Sequence, residues 1–418
     1  MKITKKHNHE LTRRHIMQGL AGMTLGVNTG LWAKETSPSL KKGKKVVRIL
    51  LPGAMSHIDS FDPKPQTPEV MGATKVISTN TGDQLSAFFP EMAKRMHKIA
   101  LVRSMQSEEG DHPRGQYLLN TSYQILGTIQ HPGFGSWMHK LNDKINPSLP
   151  ASVAIGGGHN AGYLGTAYDP FKVNNPENAL AGMIMDQPKS DESIEALKLM
   201  ANVRRKFHKN YQYKNVKDYA EYYNEAIKFM HSDDLSAFDI SKAEASCKKK
   251  YNIEHGKSLL LARRLLEADV QYVSINIGSW DDHYYLWNSE NFPKKAKALD
   301  KALATFIDDL DERGVFKDTV LAVNSEFGRT PDIDREGRGH HRKAFFSILA
   351  GAGVKTNQIY GKTDDRANKI IENPVSIQDF NATLANLADI NHQKEVYSSD
   401  NRPFTIARGG HPVSGLIT

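Results

Sequence analysis

Val46-Val47-Arg48-Ile49-Leu50-Leu51 is an apolar, β-rich run stopped by Pro52-Gly53. Its composition and its abrupt end predict a buried central strand of an α/β sheet. His57, Asp59 and Asp62 follow just beyond that end, and in open α/β sheets ligands sit outside the carboxyl ends of the strands. The same grammar repeats along the chain. Residues 99–102, 151–155, 270–277, 319–323 and 345–350 read as further strands, and residues 84–98, 295–313 and 378–388 as helices, with another beginning near Arg114. Leu299, Leu303, Phe306, Ile307 and Leu310 give the 295–313 helix one apolar face, and Gly314 ends it. Alternating strands and helices argue for a layered α/β sandwich with a mostly parallel sheet. A single domain over residues 46–418 is expected, with the Lys- and Tyr-rich stretch at about 190–268 as an outer helical layer.

Composition narrows the classes. A chain of 418 residues with 39% hydrophobic and 24% charged content can bury a large core. Its one cysteine, Cys247, excludes an intramolecular disulfide and a cysteine-rich metal cluster. Part of the net charge of +8 lies in an N-terminal arm carrying Lys2, Lys5, Lys6, Arg13 and Arg14. That arm precedes the short, Gly-rich apolar run from Gly19 to Val27, so targeting explains it better than nucleic acid does. Residues 1–33 read as a twin-arginine export signal and 34–45 as a flexible linker, which places the protein in the periplasm or at the cell surface. The apolar run is too short and interrupted to leave a stable transmembrane segment in the mature chain. No basic stripe interleaved with aromatics suggests a nucleic-acid partner. Gly156-Gly157-Gly158 lacks the Lys-Ser/Thr of a P-loop. Oligomeric state is not legible.

Acid and imidazole groups recur where strands end. Asp59 follows the first strand, Asp281 and His283 a later one, Glu326 the next, and His340 precedes another. Oxygen and nitrogen donors from separate strand ends are how a hydrolytic metal site is made, so Asp59, Asp281, His283, Glu326 and His340 are the candidate ligands. Such donors suit divalent ions, Zn or Mn first, with Mg or Ca for an oxygen-rich position. Asp111-His112-Pro113-Arg114 falls where a helix begins. Its free backbone N–H groups would favour a phosphoryl or sulfuryl group with Arg114 as clamp, or Asp111 is simply a cap. Glu108 and Glu109 read as capping or solvated groups.

The chain resembles the DUF1501 family, a sulfatase-like branch of the alkaline phosphatase superfamily. The matching stretches are Gly53-Ala54-Met55-Ser56-His57-Ile58-Asp59-Ser60-Phe61-Asp62-Pro63, Gly110-Asp111-His112-Pro113-Arg114-Gly115, Trp280-Asp281-Asp282-His283, Glu326-Phe327-Gly328-Arg329-Thr330-Pro331 and His340-His341. The resemblance covers about residue 46 to the C-terminus and implies an alkaline-phosphatase-like α/β/α sandwich with two neighbouring metal positions. One would use Asp281, His283 and His340, and the other Asp59, Glu326 and the nucleophile position. Sulfatases carry Cys-x-Pro-Ser-Arg there. Here the stretch is Asp111-His112-Pro113-Arg114, so Asp111 stands where the nucleophile should be. Family members often carry Gly-Arg-Asp-His at the late histidine, where this chain has Gly337-Arg338-Gly339-His340.

The function expected is therefore hydrolysis of a phosphate or sulfate ester, or a related small or polymeric anion, by water activated at one or two metals. Arg114 or Arg329 would stabilise oxyanion charge and His112 would be the general acid. The alternatives are a degraded-site binding protein at the cell surface or periplasm, and a metal-dependent isomerase or mutase.

Overall fold

The computed structural model describes residues 44–180, 229 and 232–418. The export signal, most of the linker and, apart from Phe229, the 190–231 part of the helical layer lie outside the described residues. The expected first strand is β1 (Lys45–Leu50), buried along its whole length. Its side chains alternate between two cores, Val47 and Ile49 into one and Val46 and Leu50 into the other. A strand covered on both faces needs apolar residues at nearly every position, which is why its sequence was so legible.

The remaining strands of its sheet are β2 (Ala100–Gln106), β3 (Ser152–Ile155), β4 (Phe171–Val173), β5 (Tyr272–Asn276), β6 (Thr319–Asn324), β7 (Phe345–Gly351), β8 (Gln358–Tyr360) and β9 (Val375–Ser376). The nine strands run in the order β8-β2-β7-β6-β1-β5-β3-β4, with β9 beside β8 along the edge of β2. Every pairing is parallel except those of β7, which is antiparallel to both β6 and β2. The sheet is thus mixed and mostly parallel.

Helices cover both faces. α1 (His112–Thr121), α2 (Phe134–Leu141) and α5 (Ile377–Leu387) pack on the face that holds Val46 and Leu50. α3 (Gly256–Glu267) and α4 (Phe292–Glu312) pack on the other. α3 belongs to the described end of the expected helical layer, where short helices at Asp233–Phe238 and Ala245–Lys250 precede it. Residues 84–98 are not one helix. They form a short strand (Gln84–Ser86), one helical turn (Pro90–Ala93) and a 3₁₀ turn (Met96–Lys98), because Pro90 cannot sit inside a helix. Among the described residues no helix is long and apolar enough to cross a membrane.

Strand direction positions the site. The carboxyl ends of β1, β2, β5 and β6 lie at one edge of the sheet, and because β7 is reversed, the residues preceding it arrive at the same edge. An all-parallel sheet would have sent His340 to the opposite edge.

Candidate metal centre

At the end of β6 the chain turns at Asn324-Ser325 and buries Glu326. Glu326 Oε1 accepts the backbone N–H of Gly53 at 2.8 Å and faces His112 Nδ1 at 2.7 Å. Gly53 is needed for this approach: its φ is +100°, and a Cβ there would lie 2.6 Å from the backbone nitrogen of Trp280 and 2.7 Å from that of Asp281. The exit of β1 is thereby pressed against the exit of β5, and Asp281 comes in beside Glu326. His112 opens α1 and stacks on Phe327, with ring centroids 5.0 Å apart.

Asp281 Oδ1 is the hub. It lies 3.1 Å from His112 Nε2, 3.0 Å from His283 Nε2 and 3.5 Å from His340 Nε2, and the two latter nitrogens are 3.0 Å apart. Arg329 Nη2 donates to the same oxygen at 2.5 Å. Two rings are fixed by their other nitrogen. His340 Nδ1 is 2.8 Å from the Gly110 carbonyl, which only accepts, so that nitrogen carries a proton and Nε2 faces the cluster with a lone pair when the ring is neutral. His112 Nδ1 likewise carries the proton that meets Glu326.

Electrostatics follow this arrangement. The hydrogen bond to Glu326 raises the His112 pKa; burial opposes it and Asp281 adds to it. Burial would raise the Asp281 carboxyl, but the hydrogen bonds from Arg329 and then His112 hold it well below the usual carboxylate range. Burial lowers His283, and the Arg329 charge lowers it further.

The donor set fits a divalent ion. Donors about 2.0–2.2 Å from one shared ion lie roughly 3.0–3.5 Å from each other, which is the spacing of Asp281 Oδ1, His283 Nε2 and His340 Nε2. His112, Asp281 and His340 also form a set whose donor atoms all lie within 4.8 Å. Glu326 meets the far nitrogen of His112, the arrangement in which a carboxylate commonly orients a metal-bound histidine.

The other expected residues lie elsewhere. Asp59 is fully buried and bound to Arg338, with Nε to Oδ2 at 2.6 Å and Nη2 to Oδ1 at 3.3 Å. It also accepts from Ser56, Thr74 and the Trp287 indole, so its lone pairs are already engaged. Asp111 is exposed and accepts the Arg114 backbone N–H at 3.2 Å as the cap of α1. With Pro113 lacking an N–H, that cap removes much of the expected anion cradle. The Arg114 side chain is exposed. Arg329 is buried, and besides Asp281 it binds the carbonyls of Gly53, Ala54 and Arg338; it is a strut under the cluster. A Cβ at Gly339 would meet Thr330 at an ordinary 3.5 Å.

Sequence reasoning passed over Gln116, whose amide reaches Glu326 Oε1 at 3.4 Å. Its signal was available, four residues after His112 on one helical face. Beside Glu326 opens a cavity of about 220 Å³ whose walls include Leu50, Gln116, Tyr117, Asn120, His159 and Asn276.

Residues 43–417 match the family described as "Protein of unknown function (DUF1501)". No curated protein matches the chain. Solved structures with similarity include the wild-type alkaline phosphatase PafA, at 10% identity over 90% of this chain and 99% of that one, with a TM-score of 0.44. A protein in the alkaline phosphatase superfamily from Vibrio parahaemolyticus is 12% identical over 84% of this chain and 67% of that one, with a TM-score of 0.41. The lipoteichoic acid synthase LtaP from Listeria monocytogenes is 12% identical over 85% and 74%, with a TM-score of 0.39.

Proposed function

The chain belongs to the DUF1501 family, and we propose that it is an exported, metal-dependent hydrolase of phosphate or sulfate esters. The observation that carries the proposal is the meeting of Asp281 Oδ1 with the Nε2 atoms of His283, His340 and His112 at the carboxyl edge of the sheet. Asp281, His283 and His340 would hold the ion, with His112 as a fourth donor. Three imidazoles and one carboxylate suit Zn, Mn or Fe better than Mg or Ca, which prefer oxygen. The ion would supply a water of lowered pKa and a counter-charge to the ester oxygens.

The chain's own residues do the rest. Glu326 holds His112 by Nδ1, and Gly110 holds His340 by Nδ1, so neither ring can turn away. Arg329 fixes the Asp281 carboxylate and keeps it ionised. Asp281 is exposed while Glu326 is buried, so an anionic ester would approach the cluster from the Asp281 side. The choice of ester class, and of export, rests on the motifs and the N-terminal arm described above. A second reading, an anion-binding protein without turnover, is favoured by Arg329: a guanidinium already neutralises the Asp281 oxygen that an ion would use.

Elemental mass spectrometry of protein purified from the periplasm, beside His283→Ala and His340→Ala, separates the two. The hydrolase reading expects a tightly bound ion that both variants lose, and release of phosphate or sulfate from an ester panel. A protein without stoichiometric metal after reconstitution with Zn, Mn, Fe, Mg and Ca would leave the binding reading. Recovery of an Arg13→Lys/Arg14→Lys variant from the periplasm in undiminished yield would refute twin-arginine export.

A further inference from the structure

Resting on the hydrolase reading, we infer that the cavity beside Glu326 is the subsite for the alcohol half of the ester and that this alcohol is a saccharide unit. The cavity adjoins the cluster. Glu326, whose Oε1 lies 2.7 Å from His112 Nδ1, and Pro113, the residue after His112, both form part of its wall. An ester whose anionic group sits at Asp281 and the histidines would extend its uncharged half past Glu326 into this space.

The walls select what enters. No lysine or arginine lines the cavity, and its one carboxylate is Glu326, so a second anionic group is disfavoured there. The polar wall groups are mostly acceptors without donors. The Asn276 Oδ1 atom is buried with no partner. The Asn120 amide nitrogen donates to the Gln116 carbonyl at 2.8 Å, leaving its oxygen for a ligand. His159 Nε2 is engaged with the His131 carbonyl at 3.0 Å, so Nδ1 remains as an acceptor. The unmet buried acceptor of Asn276 is costly, and a ligand that brings several O–H donors at once would meet it together with the acceptors of Asn120 and His159. Leu50, Leu51, Pro52 and Leu119 supply the apolar remainder, which suits the C–H face of a sugar ring.

Size agrees. A volume of about 220 Å³ equals roughly seven waters at ~30 Å³ each, room for one sugar ring. A second cavity of about 680 Å³ shares Tyr117, Gly158 and His159 with the first and continues past Gln130 and Asn160 to Lys172. The two cavities therefore adjoin, and a further sugar unit would find space next to the first. Gly158 lies on the wall of both cavities, and its lack of a Cβ allows close packing on the Cβ of Ala154, which that atom would strike.

The test has two arms. In the first, kcat/KM is compared for hexose phosphates and sulfates, 4-nitrophenyl esters and ethyl esters, in the wild type and in Asn276→Leu and Asn120→Ala. The subsite expects hexose esters to be preferred, and each variant to cut the hexose-to-ethyl ratio about tenfold. In the second arm, saturation-transfer NMR follows unesterified monosaccharides at millimolar concentration, which needs no turnover. The expected result is a sugar signal in the wild type that is lost in Asn276→Leu while the amide spectrum stays folded. If no ester is cleaved but the sugar signal behaves this way, the subsite stands and the hydrolase reading falls. A nitrophenyl preference unaltered in both variants, or no monosaccharide signal, overturns the subsite.

Discussion

Removing the Asp59 carboxylate separates what the sequence suggested from what the structure places there. As a metal ligand, Asp59 would be needed for metal and little else. As it stands, it is the counter-charge of Arg338, and neither side chain is exposed. Breaking a buried pair by removing one member costs about 3–5 kcal/mol, because the other charge is left desolvated. Arg338 retains the carbonyls of Val70 and Pro331, but these do not neutralise it. Asp59→Asn keeps the shape and loses the charge, so the full range applies. At about 1.3 °C per kcal/mol for a domain of this length, the melting midpoint should fall by roughly 4–6 °C. The melt is done on metal-free protein, so that ligand linkage does not enter. Arg338→Met alone should lose a similar amount, and Asp59→Leu/Arg338→Met should lose less than either single change, since an apolar pair needs no solvation. Elemental analysis of the folded Asp59→Asn protein should find its ion retained, while Asp281→Asn loses it. If Asp59→Asn sheds the ion with an unmoved midpoint, Asp59 is a ligand and the structural assignment is wrong.

Glu326→Gln should leave the fold intact but weaken metal binding about 10–100-fold, the usual effect of losing the carboxylate behind a ligand histidine; chelator competition measures it, and unchanged affinity would remove Glu326 from the centre. His57 is fully buried, with Nε2 on the Ala367 carbonyl, and burial pushes its pKa down to about 4. An unfolded histidine titrates near 6.5, so the unfolded chain binds the extra proton between those values. Stability is therefore full above about pH 6.5 and falls toward pH 4, by up to roughly 3 kcal/mol from this group. His57→Gln should reduce that slope without abolishing it, since burial also holds His131 at about 4; equal slopes in urea melts of both proteins would refute the assignment.

Much of the fold was legible because buried parallel strands leave a strong mark. β1, β5, β6 and β7 were all readable as apolar runs, and α4 by the face that Leu299, Leu303, Phe306 and Leu310 present. What failed has local causes. Pro90 splits residues 84–98. α2 went unread because five consecutive residues, Phe134 to Met138, are buried, which erases the 3.6-residue rhythm. The reversal of β7 leaves no trace in composition, since an apolar run reads the same in either direction.

The site shows a sharper limit. Residue type announced a cluster of donors, and six of the nine residues singled out do meet. Which of them face one another is decided by partners that only the fold supplies. Asp59 was drawn off by Arg338, a residue 279 positions away, and Glu326 by His112. The charges of the assembled cluster explain why these substitutions of role are consistent. Asp281 and Glu326 bring two negative charges to one place, and Arg329 answers one of them. His112 lies between the two carboxylates, with Nε2 3.1 Å from Asp281 Oδ1 and Nδ1 2.7 Å from Glu326 Oε1, and the hydrogen bond to Glu326 is the first cause of its raised pKa. An ion taken up through the His112 Nε2 atom competes with protonation of that atom, while the hydrogen bond from Nδ1 to Glu326 stays in place.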